Sequence, residues 1–144
     1  MRRTSVIGGL MVALLLLSAP GALLSSALVS SALVSSAWAG PWEDGMAAYN
    51  RGDYVPAIRL FRPLAEQGNP KAQSVIGVMY RKGQGVVKSS GRAFMWFSLA
   101  AKRGDAKAKA ELPEISRDMT QAEISLAREM MQACEASNYR TCEY

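Results

Sequence analysis

Apolar residues recur along this chain every three or four positions. Ala57, Ile58, Phe61, Leu64 and Ala65 form one such stripe, and Ala72, Ile76, Met79 and Tyr80 form the next. This spacing places each set on one face of an α-helix. No stretch alternates strictly, as a half-buried strand would, so the pattern predicts an all-α chain. Polar and helix-breaking residues divide it into six helices. The first covers Glu43 to Arg51 and ends at Gly52; the second follows Asp53 as N-cap and runs to about Gln67, with Gly68 as its stop. Asn69-Pro70 opens the third, which carries its stripe to near Lys82; an Asn cap followed by proline is a strong start, because proline has no N–H to lose in the first turn. Ser89 or Ser90 caps the fourth, with Ala93, Trp96, Phe97, Ala100 and Ala101 facing inward up to Gly104. Asp105 caps the fifth, with Ala108, Leu112, Ile115 and Met119 as its apolar set. Thr120-Gln121-Ala122-Glu123 is a capping box for the sixth, which bears Ile124, Ala127, Met131 and Cys134 and ends near Ala136. Two interior prolines disturb the pattern. Pro63 is expected to bend or weaken the second helix, and Pro113 to kink or split the fifth.

The stripes repeat at a longer period. Ala57, Phe61, Ala65, Gly68 and Ala72 recur as Ala93, Phe97, Ala101, Gly104 and Ala108, each 36 residues on. A fixed period in this range signals stacked helical pairs, since one pair cannot bury its apolar face alone. Small residues then become packing requirements. Gly77, set opposite Ala93 and the Ala100-Ala101 pair, lets the third and fourth helices approach closely, and Tyr80, Trp96 and Phe97 fill the space between pairs. The aromatic stripe therefore reads as core rather than as a ligand box.

The first 39 residues have a different composition. Arg2 and Arg3 precede an uncharged apolar run from Val6 to Leu17, Pro20-Gly21 breaks it, and Ala37-Trp38-Ala39 offers a cleavage pattern before Gly40. This is the layout of a secretory leader. Between these parts Ser25–Val29 is repeated as Ser30–Val34, a low-complexity lengthening. Cleavage would leave residues 40–144, one domain by length, located in the periplasm or secreted. The domain divides into a repeat region at 40–136, with repeats at about 42–73 and 74–109 and a cap at 110–136, followed by a tail at 137–144. Removing Arg2 and Arg3 from 17 basic residues leaves 15 against 12 acidic ones. The surplus is small and the signs are interspersed, which argues against nucleic acid as a partner. No stable membrane insertion is expected once the leader is gone.

Candidate chemistry is sparse. Cys134 and Cys142 are the two cysteines, and in an oxidising compartment they are expected to form a structural disulfide tying the tail to the last helix. The chain contains no histidine, no C-x-x-C, no S-x-x-K, no G-x-S-x-G and no H-E-x-x-H. A metal site, a cofactor and a catalytic residue are therefore all unexpected.

One stretch, Ala72-Gln73, Gly77, Tyr80, Gly83-Gln84-Gly85-Val86, Ala93, Trp96-Phe97, Ala100-Ala101 and Gly104-Asp105, resembles the Sel-one-like repeat family, a branch of the tetratricopeptide-like solenoids. Tyr49, Gly52-Asp53-Tyr54, Ala57 and Leu64–Asn69 resemble a second copy with a loop five residues shorter. Ser89-Ser90 departs from the family, which tends to show an acidic residue and an aromatic there. The resemblance covers roughly residues 42 to 135. It implies a right-handed α-solenoid of antiparallel helix pairs, about two full repeats plus a C-terminal capping pair, and a protein-interaction role. By analogy with tetratricopeptide scaffolds, the first helix of each pair lines a concave face. That face would carry Lys71, Ser74, Val78 and Arg81 in the second repeat, Glu43, Ala47 and Asn50 before it, and Lys107, Ala110, Glu114 and Arg117 after it. Lys71, Arg81, Lys107 and Arg117 suit an acidic or carboxylate-ended peptide, since Arg offers bidentate contacts. The functional expectation is a non-enzymatic periplasmic adaptor. Alternatives are a cell-wall ligand binder or hydrolase of the β-lactam-binding type, and a membrane-anchored regulator if the leader is retained. The loop from Gly83 to Lys88 is a second candidate binding element.

Overall fold

A computed structural model describes residues 40–142, and the leader expected at 1–39 lies outside them. Six α-helices, and no strand among the described residues, follow one another: α1 Pro41–Arg51, α2 Tyr54–Glu66, α3 Pro70–Lys82, α4 Ser90–Lys102, α5 Ala106–Ser116 and α6 Gln121–Ala136. Consecutive helices pack in chain order from α1 to α5, and α6 returns onto α4.

The expected capping residues set most boundaries. Asn69 accepts from the N–H groups of Lys71 and Ala72, Ser89 from Arg92, and Asp105 from Ala108. Each removes an orphan donor from a first turn. Thr120 and Glu123 form the complete reciprocal box. Gly83 ends α3 in the left-handed region at φ 71°, where a side chain would be strained. Asp53 behaves otherwise: it occupies the N-cap of α2 without bonding the helix, and its carboxylate instead accepts from Arg51 at 3.1 Å. Neither proline divides its helix. Pro63 and Pro113 lie in the second halves of α2 and α5, and both helices continue beyond them, to Glu66 and to Ser116. The expected split of α5 is thus corrected.

Close approach within each pair rests on one glycine facing one phenylalanine. A Cβ at Gly77 would lie 2.7 Å from Phe97 Cδ1, and a Cβ at Gly45 would lie 2.7 Å from Phe61 Cε1. Both rings are fully buried. Gly77 thus opposes the Phe97 ring. Gly45 performs the same task in the first pair, although it stands four residues before Tyr49 while Gly77 stands three before Tyr80.

Burial exceeds the single stripes that the periodicity predicts. Helix α3 buries Gln73, Ser74 and Val78 beyond its stripe, and α4 buries Phe94, Met95 and Leu99. The reason is position. α3 lies against α2, α4 and α5, and α4 lies against α3, α5 and α6. A helix flanked on three sides has almost no solvent face. Fully buried Gln73 uses its amide Nε2 to donate to the Ala65 carbonyl at 3.0 Å, tying α3 to α2. The terminal helices depart from a simple hairpin, since α5 and α6 both lean on α4 more than on each other.

Two further contacts fix one repeat to the next. The Gly83–Val86 turn rests on the start of α2, where a Cβ at Gly85 would lie 2.7 Å from the Tyr54 carbonyl carbon. Tyr49 Oη donates to Gln84 Oε1 at 3.0 Å in the same place. Burial, with Tyr54 close by, holds the Tyr49 phenol above its ordinary pKa.

The second contact involves the tail. Cys134 and Cys142 are disulfide-bonded with Cα atoms 4.6 Å apart, as expected from the sequence. The loop they close brings Tyr139 inward to 9% exposure. Its hydroxyl accepts from Arg103 Nε at 3.1 Å and Nη2 at 2.6 Å, and the Arg103 guanidinium carbon lies 4.9 Å from the ring centroid. The same guanidinium covers Gly68 in the α2–α3 turn, where φ is 80° and a Cβ would lie 2.6 Å from Nη1. The tail, the end of α4 and the inter-repeat turn therefore meet on one arginine.

Candidate interaction surfaces

The residues expected on the first-helix face divide into three groups. Lys71, Lys107, Glu114 and Arg117 are exposed, with Lys71 in the first turn of α3 and the rest on and just beyond α5. Ser74 is buried at 3% exposure and Val78 at 5%, so neither lines an open surface. Placing Ser74 among contact residues is corrected: counting along one helix did not register that α3 is flanked by α2, α4 and α5. Arg81 is half-buried and ion-paired with Glu111 of α5.

Charge on this face is consequently mixed. Arg117 pairs with Glu114 three residues earlier at 2.9 Å. A small polar hollow of about 260 Å³ brings Arg81 together with Lys88, Ser90, Glu114, Ile115 and Asp118. Lys71, Lys107 and Arg117 do not line it. Carboxylates of α5 thus answer much of the positive charge, leaving Lys71 and Lys107 as the expected basic positions without an ion pair among the described residues. The Gly83–Lys88 loop commits Gln84 and Gly85 to internal contacts and leaves Val87 83% exposed at its tip.

A larger feature lies between α4 and α6. A groove of about 660 Å³ runs between the first turn of α4, at Ser89, Gly91 and Arg92, and the α6 face formed by Leu126, Ala127, Met130 and Ala133. Glu123 and Glu129 edge it. The two helices are joined at their C-terminal ends by Lys102 Nζ, which contacts both carboxylate oxygens of Glu135 at 2.9 Å, and by the Arg103–Tyr139 contact. The wedge opens towards their N-terminal ends. Sequence reasoning missed this groove. Its available signal was Leu126 and Met130, four apart and off the stripe of Ile124, Ala127, Met131 and Cys134.

Among the described residues no group of three or more His, Cys, Asp or Glu could hold a metal ion, and no helix is long and apolar enough to cross a membrane. The architecture of helix pairs stacked in chain order defines a tetratricopeptide-like α-solenoid. Within that class the repeat unit is specific. Residues 45–69 and 70–105 each match the family described as Sel1 repeat, so the chain carries two Sel1-like repeats. Sel1 repeats are in general protein-interaction modules, and the family is typically a non-catalytic scaffold.

Proposed function

We propose that the chain is an exported, non-enzymatic interaction scaffold of the bacterial envelope. Its two Sel1 repeats would receive a partner segment bearing carboxylates along the first-helix face. The matched pair of repeats carries the reading, since stacked hairpins supply a rigid surface for another chain. Lys71 and Lys107 stand solvated at the starts of α3 and α5, one repeat apart, and would contact the segment at two points. The apolar leader and the Ala37-Trp38-Ala39 pattern support export.

Photo-reactive side chains at positions 71 and 107 test the partner reading in an envelope preparation. One polypeptide should crosslink from both positions, and the paired substitution Lys71→Glu and Lys107→Glu should abolish its capture while leaving helical circular dichroism unchanged. Capture indifferent to charge reversal would overturn the assignment. Arg81 is a poor probe, because reversing it places two carboxylates together at Glu111 and disturbs the fold as well as the surface. Amino-terminal sequencing of the envelope-borne protein tests export: Gly40 should be first, and an intact Met1 on a cytosolic protein would contradict it.

A further inference from the structure

We propose that the partner segment is itself divided by charge, basic at one end and acidic at the other, and lies in one direction along the edge of the stack where α1, α3 and α5 begin. The inference rests on the scaffold reading above and adds an acidic half to its site. Three-residue turns join α2 to α3 and α4 to α5, so successive helices run antiparallel. The starts of α1, α3 and α5 therefore share an edge with the ends of α2 and α4. Arg103, at the end of α4, lies over Gly68 between α2 and α3, which places both turns on that edge.

Charge sorts by sign along this edge. Glu43 and Asp44 stand in the first turn of α1 and Glu66 ends α2, all exposed and without an ion pair among the described residues. From the start of α3 onward the sign is positive. Lys71 comes first, then Arg103, whose guanidinium is matched with the neutral Tyr139 side chain, then Lys107 and Lys109. The remaining charges here are used within the chain: Lys102 pairs with Glu135, Asp105 accepts from the Ala108 N–H, and half-buried Arg62 is already engaged. The opposite edge is not sorted. There Arg51 pairs with Asp53, Arg81 with Glu111 and Arg117 with Glu114, and Lys88 shares a hollow with Asp118. Opposite signs that answer one another leave little field, whereas separated ones select a partner divided in the reverse sense. At about 10 Å between successive first helices the edge spans roughly 20 Å, which an extended chain covers in about six residues. The basic end of the segment would meet α1, and its carboxylates α3 and α5.

Fluorescence anisotropy on the purified protein tests this with two labelled octapeptides of one composition. One carries two arginines at one end and two glutamates at the other, with serine and glycine between; the second alternates the same charges. The divided peptide should bind about tenfold more tightly, and its affinity should fall as salt rises. Glu43→Lys together with Asp44→Lys should weaken it about tenfold, and Glu66→Lys about fivefold, as lost solvated pairs do. A photo-reactive group beside the arginines should mark α1, and one beside the glutamates α5. Thermal melts establish that the variants are folded, and Glu66→Lys keeps the test open should α1 fray, since a cation suits the end of a helix. Equal binding of the two peptides, or binding of neither, overturns the proposal, and so does a peptide that crosslinks both ways round. Binding lost on Lys71→Glu with Lys107→Glu but indifferent to the acidic positions also overturns it and leaves the scaffold reading standing. Self-association of the protein that Glu43→Lys with Asp44→Lys abolishes overturns it too and assigns the edge to a second copy.

Discussion

The two hairpins are built on one plan and end in different environments. Each closes a glycine of its first helix against a phenylalanine of its second, Gly45 on Phe61 and Gly77 on Phe97. Yet α1 buries only Gly45 and Ala48, whereas α3 buries eight residues, a glutamine and a serine among them. The glycine–phenylalanine contact is common to both pairs, and what differs is the number of neighbours. α1 packs chiefly on α2, while α3 is covered from three sides. In a solenoid the local pattern selects the helix and the hairpin, and position in the stack sets its depth. Trp42 and Tyr49 are only partly buried on α1, whereas Tyr80 and Trp96 of the second pair are almost completely enclosed.

The sharpest way to break this comparison is to overpack both glycines. Gly77→Leu should cost about 3 kcal/mol, because the Phe97 ring is enclosed and cannot move aside. Gly45→Leu should cost about half as much, since the Trp42 ring packed on Phe61, with centroids 5.3 Å apart, is itself only partly buried. Urea unfolding of both variants checks the order, and equal losses would refute the role given to neighbours.

Replacing both Cys134 and Cys142 with alanine should cost about 2.5 kcal/mol, the amount expected for closing so short a loop. The change should reach the first repeat. With the loop opened, Tyr139 releases Arg103, and the Gly68 turn should exchange its amide protons faster. Unchanged exchange at that turn would leave the disulfide as a local staple.

Helix caps give a smaller contrast. Asn69→Ala should lose about 1 kcal/mol, because Asn69 bonds two first-turn N–H groups. Asp53→Ala should lose almost nothing, because Asp53 caps no N–H and its pair with Arg51 is solvated. Thermal melts distinguish the two.

The smallest effect is a pH dependence. Two hydrogen bonds from Thr120, by its backbone N–H at 2.7 Å and its hydroxyl at 2.8 Å, hold the Glu123 carboxyl below the usual pKa. A lowered folded-state pKa contributes stability that is present above the unfolded value and lost as pH falls through the folded one. Glu123→Gln should therefore lower the melting temperature slightly at neutral pH and not at all in strong acid. A difference that persists in acid would assign the effect to shape instead of charge.

These contrasts also show which parts of the fold were legible in the sequence. Caps were, because Asn69-Pro70, Gly83 and Thr120–Glu123 act within a few residues of themselves. So were the period, the disulfide and the core stripes, since each is a spacing. Ser74 and Val78 were misplaced, and Phe94, Met95 and Leu99 overlooked, because a second and third flanking helix leave no trace in one helix's own periodicity. Gly45 escaped because it stands one residue out of step with Gly77 when both are counted from the following tyrosine. On the expected binding face Lys71 and Lys107 are exposed. The sequence could not pair Arg81 with Glu111, 30 residues away, since that pairing depends on how α5 lies against α3. The α4–α6 groove has the same origin, as it exists only through the return of α6 onto α4.

Native-state hydrogen exchange tests the central claim most directly. If neighbours set depth, amides of α3 and α4 should exchange only through global unfolding, while those of α1 open locally at lower free energy. Amides of α1 protected as strongly as those of α3 would contradict it.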